Sequence, residues 1–525
     1  MSNNDSNNIR PDLAEFNQRE SFISDAAREK AVAKRHALGL RTARENVHDL
    51  LDDDSMNEYG ALAVAAQRGR KSHEELIENT PADGIITAVG TVNAHEFGDK
   101  RARCAVLAYD YTVLAGTQGF FNHKKTDRLL KIASDNELPV IFYTEGGGGR
   151  PGDVDADRIN VSGLGVPTFA QWAAMNGKAP RIAINAGRCF AGNAVLFGLA
   201  DITIATKTSN IGLAGPAMIE GGGLGSFKPE EIGPADVQHS NGVIDILVAD
   251  EAEATQVAKK VLGYFQGDLN NWECTDQDLL RDAVPENRRM AYKMRKLIEL
   301  LADTNSVQEL RLHYGKGILT CLVRIRGQAF GLIANNPRHL GGAIDSESAE
   351  KAARFLQLCD AYALPVISLC DTPGFMVGPD SEKTASVRRG SRLLAVAANL
   401  QVPVIAVVTR KAYGLGAQAM VGGSFQQPAA IASWPSGEFG AMGLEGAVSL
   451  GFKKELAAID DPDEREAVFN KMVAKAYQRG KAISIAEYTE VDAVIDPKDT
   501  RGWILRTLNA CKTPSRNTRR FVDIW

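Results

Sequence analysis

The sequence repeats itself. Lys125–Ile141 (KTDRLLKIASDNELPVI) aligns with Lys351–Ile367 (KAARFLQLCDAYALPVI) at an offset of 226 residues, matching Lys125/Lys351, Arg128/Arg354, Leu130/Leu356 and the closing Leu-Pro-Val-Ile of each. At the same offset Leu114-Ala115-Gly116 faces Leu340-Gly341-Gly342, and Glu145-Gly146 faces Asp371-Thr372. With a three-residue slip, Pro180-Arg181-Ile182-Ala183 matches Pro403-Val404-Ile405-Ala406, and Phe190 to Ala194 matches Tyr413 to Ala417. Blocks recurring in one order require two copies of one fold.

Each copy reads alike. An apolar run (Ala105–Ala108; Gly331–Ala334) is followed by a Gly-containing turn and a helix of period 3.6 (Leu129, Leu130, Ala133; Phe355, Leu356, Cys359). A short strand enters after Leu-Pro and ends in a Gly-bearing loop. A second helix, a second Pro-initiated strand (Ile182–Asn185; Val404–Val408) and a Gly-rich turn into a helix complete the unit. Short apolar strands alternating with helices predict an α/β fold whose largely parallel sheets are buried on both faces. The 525 residues accommodate an N-terminal tail over 1–20, a domain over 21–290 and a second over 291–525, with the junction in the charged, helix-patterned segment Asp276–Thr304. Residues from about Glu20 to Asn79 read as a helical extension, and poor order is expected over the first 15 residues or so and over 513–520.

Composition removes several function classes. Sixty Lys and Arg against 65 Asp and Glu, a net charge of −5, do not make a bulk nucleic-acid binder. Seven scattered cysteines without a CxxC pair point to free thiols in a reducing compartment. With no signal-peptide core and no run approaching the roughly 18 apolar residues of a membrane helix, a cytoplasmic protein is expected. No HExxH, GxxxxGK(S/T) or GxSxG motif occurs, and His73-Glu74-Glu75-Leu76 lacks the second histidine, so it reads as a solvated helix face. No metal site is expected.

What remains is glycine. Glu145-Gly146-Gly147-Gly148-Gly149-Arg150-Pro151-Gly152 follows a strand, and Arg188-Cys189-Phe190-Ala191-Gly192-Asn193-Ala194 turns into a helix. Glycines permit positive φ and close backbone approach, and the first amides of a helix lack partners. Two such loops converging would form an oxyanion hole. The second copy offers the same pair in Asp371-Thr372-Pro373-Gly374-Phe375 and Tyr413-Gly414-Leu415-Gly416-Ala417. Spacing alone leaves two readings, tight turns without a ligand or two holes for two polarised carbonyls.

At these residues the chain resembles the carboxyltransferase subunit of biotin-dependent acyl-CoA carboxylases, built from two tandem crotonase-like (ClpP-like) domains. The resemblance runs from about Arg35 to Arg506. It includes Gly39–Glu45, Asp83-Gly84, Asp110–Val113, Gly215–Ile219, Glu231–Pro234 and His239, and in the second half Ala334–Pro337, Ser348–Phe355, Asp371–Phe375, Thr409–Gly414, Trp434-Pro435, Met442–Ala447 and Val494–Pro497. It implies transfer of CO2 from carboxybiotin, carried by a biotin carboxylase/carrier partner, to the α-carbon of an acyl-CoA through a thioester enolate. It also implies a homo-oligomer, a hexamer, with each site between the first half of one subunit and the second half of another. By position Gly192 and Asn193, with Gly147 and Gly148, would hold the enolate. Leu415 and Gly416, with Gly374, Phe375 and Tyr413, would hold the biotin carbonyl, and Gln418 falls where acyl selectivity is set. Which hole takes which ligand stays open.

The chain also departs from the family. Glu145-Gly146-Gly147-Gly148-Gly149-Arg150 replaces Asp-Ser-Gly-Gly-Ala-Arg, and Asn193 and Leu415 replace glycines of a pair. With backbone donors, Asn193→Ala should retain activity and Gly192→Pro should lose it. No biotin-attachment Met-Lys-Met or ATP-grasp region occurs, so the chain is not expected to carboxylate biotin itself. Decarboxylase or transcarboxylase use of the same site, and a non-catalytic assembly scaffold, remain as alternatives.

Overall fold

The computed structural model describes residues 9–156, 161–512 and 519–525. The chain divides into two compact units, one reaching Gln266 and the other beginning at Gly267. The first holds a seven-stranded sheet in the order Asn57–Glu58, Ile85–Thr91, Arg103–Tyr109, Val140–Tyr143, Arg181–Asn185, Ile202–Thr206, Ile246–Val248. The first two strands run antiparallel to their neighbours and the rest are parallel. The second unit's eight-stranded sheet repeats this core, with Ile318–Ile325 antiparallel to Gln328–Asn335 and then Val366–Thr372, Val404–Tyr413 and Ala430–Ser433 in parallel.

The duplication holds residue by residue. Ala105 pairs with Val140 as Gly331 pairs with Val366, and Val140 pairs with Arg181 as Val366 pairs with Val404, the three-residue slip falling in between. The helices Phe120–Asp135 and Ser346–Ala361 have the same bounds at the offset of 226. Both end in one way: Leu138 N donates to Ala133 O and Leu364 N to Cys359 O, each at 2.9 Å. Each core buries its parallel strands almost completely, which is why they read as unbroken apolar runs. In the first, Trp172 is fully buried with its indole N–H on Leu196 O at 2.9 Å, and Arg181, paired with Asp201 at 2.7 Å, lies under the ring.

Three expectations need correction. The junction lies at 266/267 rather than 290/291, because Leu280, Tyr292, Met294, Leu297 and Ile298 pack into the second core; their surface charges disguise an apolar face. The tail set at 1–20 contains the helix Pro11–Ser21, which has Pro at its start and no buried residue, while residues 1–8 lie outside the described residues. Of the segment 513–520, residues 513–518 also lie outside them. The region 20–79 holds the helices Glu29–His36, Ala43–Leu50 and His73–Asn79, but also the edge strand Asn57–Glu58. No helix among the described residues is long and apolar enough to cross a membrane.

One half-buried titratable group gives a stability prediction. His123 shares Nδ1 with Thr168 Oγ1 at 2.8 Å and packs edge-on to Phe169. Burial, with the nearby Arg150 charge, pushes its pKa down to about 4 from 6.5. The unfolded chain therefore binds the proton first: the stabilisation is whole above pH 6.5 and declines as pH falls towards 4, by about 2–3 kcal/mol. Urea unfolding at pH 7.5 and 5 should show this loss, and His123→Asn should shrink it; an unchanged difference in the variant would assign it to other groups.

Candidate active site

In the first unit two loops close on each other beyond the ends of parallel strands. Gly146 N donates to Arg188 O at 2.8 Å and Phe190 N to Gly146 O at 2.9 Å, so the glycine loop runs alongside Arg188–Phe190. Ala191 then takes φ 52° and ψ −121°, a conformation that costs a non-glycine residue about 1–3 kcal/mol. That corner launches the helix Gly192–Gly198, whose first amides, Gly192 and Asn193, have no partner among the described residues.

The Asn193 side chain is fully buried and points back under the loop rather than out of it. Gly148 N donates to its Oδ1 at 2.9 Å, and its Nδ2 reaches Thr144 O at 3.2 Å and Gly116 O at 3.4 Å. Gly147 N donates to Ala115 O at 3.2 Å. The amides of Gly147 and Gly148 are thus used within the protein, and Gly149 keeps the loop's unpartnered one. Removing the Asn193 side chain strands two buried backbone groups, the Gly148 amide and the Gly116 carbonyl, each worth about 1–3 kcal/mol when left unpaired, and leaves Thr144 O only the Cys189 thiol at 3.5 Å. Asn193→Ala should therefore lower both stability and activity, contrary to the expectation from sequence, with the activity loss tracking the thermal shift across temperatures. Full activity alongside an unchanged melting temperature would contradict the clamp.

The second unit builds the same corner differently. Tyr413, buried at the end of its strand, precedes Gly414 at φ +58°, and the helix Gly414–Met420 begins. Position 416, aligned with 193, is glycine. A Cβ there would lie 2.6 Å from Gly374 Cα and 2.9 Å from Phe375 N, so backbone touches backbone where the first unit inserts an amide side chain. Gly374, at φ +122°, uses its amide on Thr372 Oγ1 at 3.1 Å. The amides of Phe375, Leu415 and Gly416 have no partner among the described residues. Beside them opens a cleft of about 230 Å³ lined by Ile344, Phe375, Met376, Val377, Val387 and Leu415, mostly apolar. Gln418 is exposed on the helix, and burial, with Glu438 close by, pushes the Tyr413 phenol above its ordinary range.

A charged residue sits beneath each glycine loop at one duplicated position. Glu145 is 8% exposed and paired with Arg35, which lies 3.5 Å from Glu251. Burial raises the Glu145 pKa to about 7 against the pull of Arg35. Asp371 is held by Arg410 at 3.0 Å and by the Lys411 amide at 3.2 Å. Arg150 ties the first loop down by pairing with Asp83 and donating to Thr117 O at 2.9 Å. Neither Arg35, some 110 residues away in sequence, nor Arg410 was singled out from sequence, since nothing local marks them as partners of the loop.

Each half thus presents unpartnered amides beside a glycine loop at one duplicated corner. The carboxyl transferase domain model matches residues 34–522, and the chain belongs to that family. A single-chain, multi-domain long-chain acyl-CoA carboxylase is 53% identical with a TM-score of 0.90, covering 95% of this chain, which spans 49% of that one. The transcarboxylase 12S crystal structure is 28% identical at TM-score 0.83 and covers both chains fully. The biotin-dependent long chain acyl-coenzyme A carboxylase beta4 subunit of Mycobacterium tuberculosis is 30% identical over 95% of this chain and 94% of its own. The chain is thus an enzyme, a carboxyltransferase homologous to the β subunits of biotin-dependent acyl-CoA carboxylases, with crotonase-like α/β halves.

Proposed function

We propose that this chain moves a carboxyl group between biotin on a partner protein and the α-carbon of an acyl-CoA, with the first-half corner holding the thioester oxygen and the second-half corner the biotin carbonyl. The observation that carries this reading is the set of unpartnered amides, Gly149, Gly192 and Asn193 in one half and Phe375, Leu415 and Gly416 in the other. An α-proton becomes labile when the negative charge arriving on the thioester oxygen is stabilised, and fixed N–H donors do this without reorganising. Gly147, Gly148 and Gly374 act by shaping the loops, Tyr413 as a wall, and exposed Gln418 as a contact at the mouth.

The second cleft suits biotin. Its apolar walls match a fused bicyclic ring, and Phe375 and Leu415, whose amides are unpartnered, line it where one carbonyl could enter. When bound, carboxybiotin supplies the CO2 equivalent. Acid–base side chains do not take over the donors' role, since Glu145 is buried against Arg35 and His123 is turned to Thr168. Leu213, Met218 and Leu224 in one unit, and Val377, Val387 and Leu415 in the other, are exposed apolar side chains that an assembly could cover. Likeness to transcarboxylase 12S, whose structure is described as a hexamer assembly, supports the same assembly here. The free cysteines fit a cytoplasmic setting.

A panel of acyl-CoAs from acetyl to long-chain, assayed with the purified biotin partner and ATP, tests the reading. Carboxylation of at least one acyl-CoA is expected. Failure with all of them, together with no exchange between carboxyacyl-CoAs and free biotin, would leave the scaffold alternative.

A further inference from the structure

Gln118 lies between the turn Leu114–Gly116 and the helix Phe120–Asp135, 5% exposed. Its backbone is fixed on both sides: its N–H donates to Gly148 O at 2.7 Å and its carbonyl accepts from Arg150 N at 2.9 Å. This carries the side chain over Gly192. A Cβ built on Gly192 would stand 2.1 Å from Gln118 Oε1, so one end of the carboxamide covers the face of the residue whose amide is unpartnered. No donor among the described residues reaches that end. The other end, Nε2, stands 3.1 Å from the hydroxyl of Tyr109, which is itself buried.

The two ends of a carboxamide have nearly the same shape, and hydrogen-bond balance decides between them. With Nε2 on Tyr109, the buried hydroxyl accepts a bond but its own proton finds no acceptor among the described residues. With the amide turned over, Tyr109 donates to Gln118 Oε1 and Nε2 is the end turned towards Gly192. A negatively charged oxygen seated against Gly192 makes the same choice, since a carbonyl oxygen there would repel it.

We propose that Gln118 supplies a side-chain N–H donor to the thioester oxygen, alongside the amides of Gly192 and Asn193. This rests on the assignment of the first-half corner to the thioester. The second half lacks the device: the residue at the offset of 226 is Ile344, which holds the same backbone position, its N–H on Gly374 O at 3.0 Å and its carbonyl accepting from Met376 N at 2.8 Å. One corner is therefore furnished with a polar side chain and the other with an apolar one, as a thioester oxygen and a biotin ring would require.

The test compares Gln118→Leu and Gln118→Glu with the native chain, using whichever carboxyacyl-CoA the native chain turns over fastest with free biotin. Loss of one such donor should lower kcat about 100-fold while KM stays within about threefold. Gln118→Glu keeps the shape but is acceptor-only when ionised, so it should be at least as slow at pH 8 and recover part of its rate as pH falls and the carboxyl regains a proton. A Gln118→Glu enzyme with native kcat at pH 8, or a loss confined to KM in both variants, would overturn the proposal. A native chain that turns over no carboxyacyl-CoA would overturn the functional reading beneath it, so the two failures are separate.

Discussion

Gly416→Ala should reduce carboxyl transfer by about 100-fold or more while the protein stays folded. The added Cβ would stand 2.6 Å from the Cα and carbonyl carbon of Gly374 and 2.9 Å from the Phe375 nitrogen. Ordinary contact begins well beyond this, and the obstacle is backbone on both sides, so no rotamer relieves it. The loop Asp371–Phe375 must move off the helix Gly414–Met420, taking the Phe375 amide away from those of Leu415 and Gly416. Misplacing one oxyanion donor is worth roughly 10²–10³ in kcat. The strands beneath are separately anchored by the Asp371–Arg410 pair, so the melting temperature should change far less than the rate. A Gly416→Ala enzyme within threefold of native would show that the close approach of the two loops does not matter.

Arg35→Met should destabilise the first half by about 3–5 kcal/mol. Arg35 lies between two buried carboxylates, Glu145 at 8% exposure and Glu251 at 4%, and its N–Hη1 donates to Glu145 Oε1 at 3.0 Å. Glu251 would keep the Arg41 amide at 2.6 Å and Asn46 Nδ2 at 3.0 Å, but Glu145 would lose its charge partner. Burial already raises its pKa to about 7 from 4.5, and without Arg35 it rises further. The folded state then binds the extra proton, so the variant should gain more stability than the native chain as pH falls from 8 to 6. Urea unfolding at both pH values measures this, and Arg35→Met/Glu145→Gln should recover part of the loss. A destabilisation below 1 kcal/mol, without pH dependence, would show that the pair contributes little.

How much of this was legible in the sequence follows from how local each determinant is. The offset of 226 carries through to helix bounds, strand register and the turns at Leu114–Gly116 and Leu340–Gly342, where a Cβ on Gly116 or Gly342 would strike the carbonyl oxygen of Glu145 or Asp371. Those are local constraints written twice. The antiparallel strands Ile85–Thr91 and Ile318–Ile325 went unread because they are buried on nearly every residue and show no alternation. Arg326-Gly327, both at positive φ, is a two-residue hairpin turn that could have marked the second of them. The glycine loops were visible, but which of their amides stay unpartnered was not. That depends on Ala115 O and the Asn193 side chain, brought in from other segments. The 290/291 junction was misplaced because charge on one face of a segment hides the apolar face that decides where it packs.

The central claim is that peptide N–H groups, rather than an acidic or basic side chain, hold the reacting thioester oxygen. Its most direct test is an experimental structure of the chain with a non-reactive acyl-CoA analogue that retains the thioester carbonyl. The expected result places that oxygen about 3 Å from the amide nitrogens of Gly192 and Asn193. An oxygen held instead by an ionisable side chain, or lying away from both amides, would contradict it.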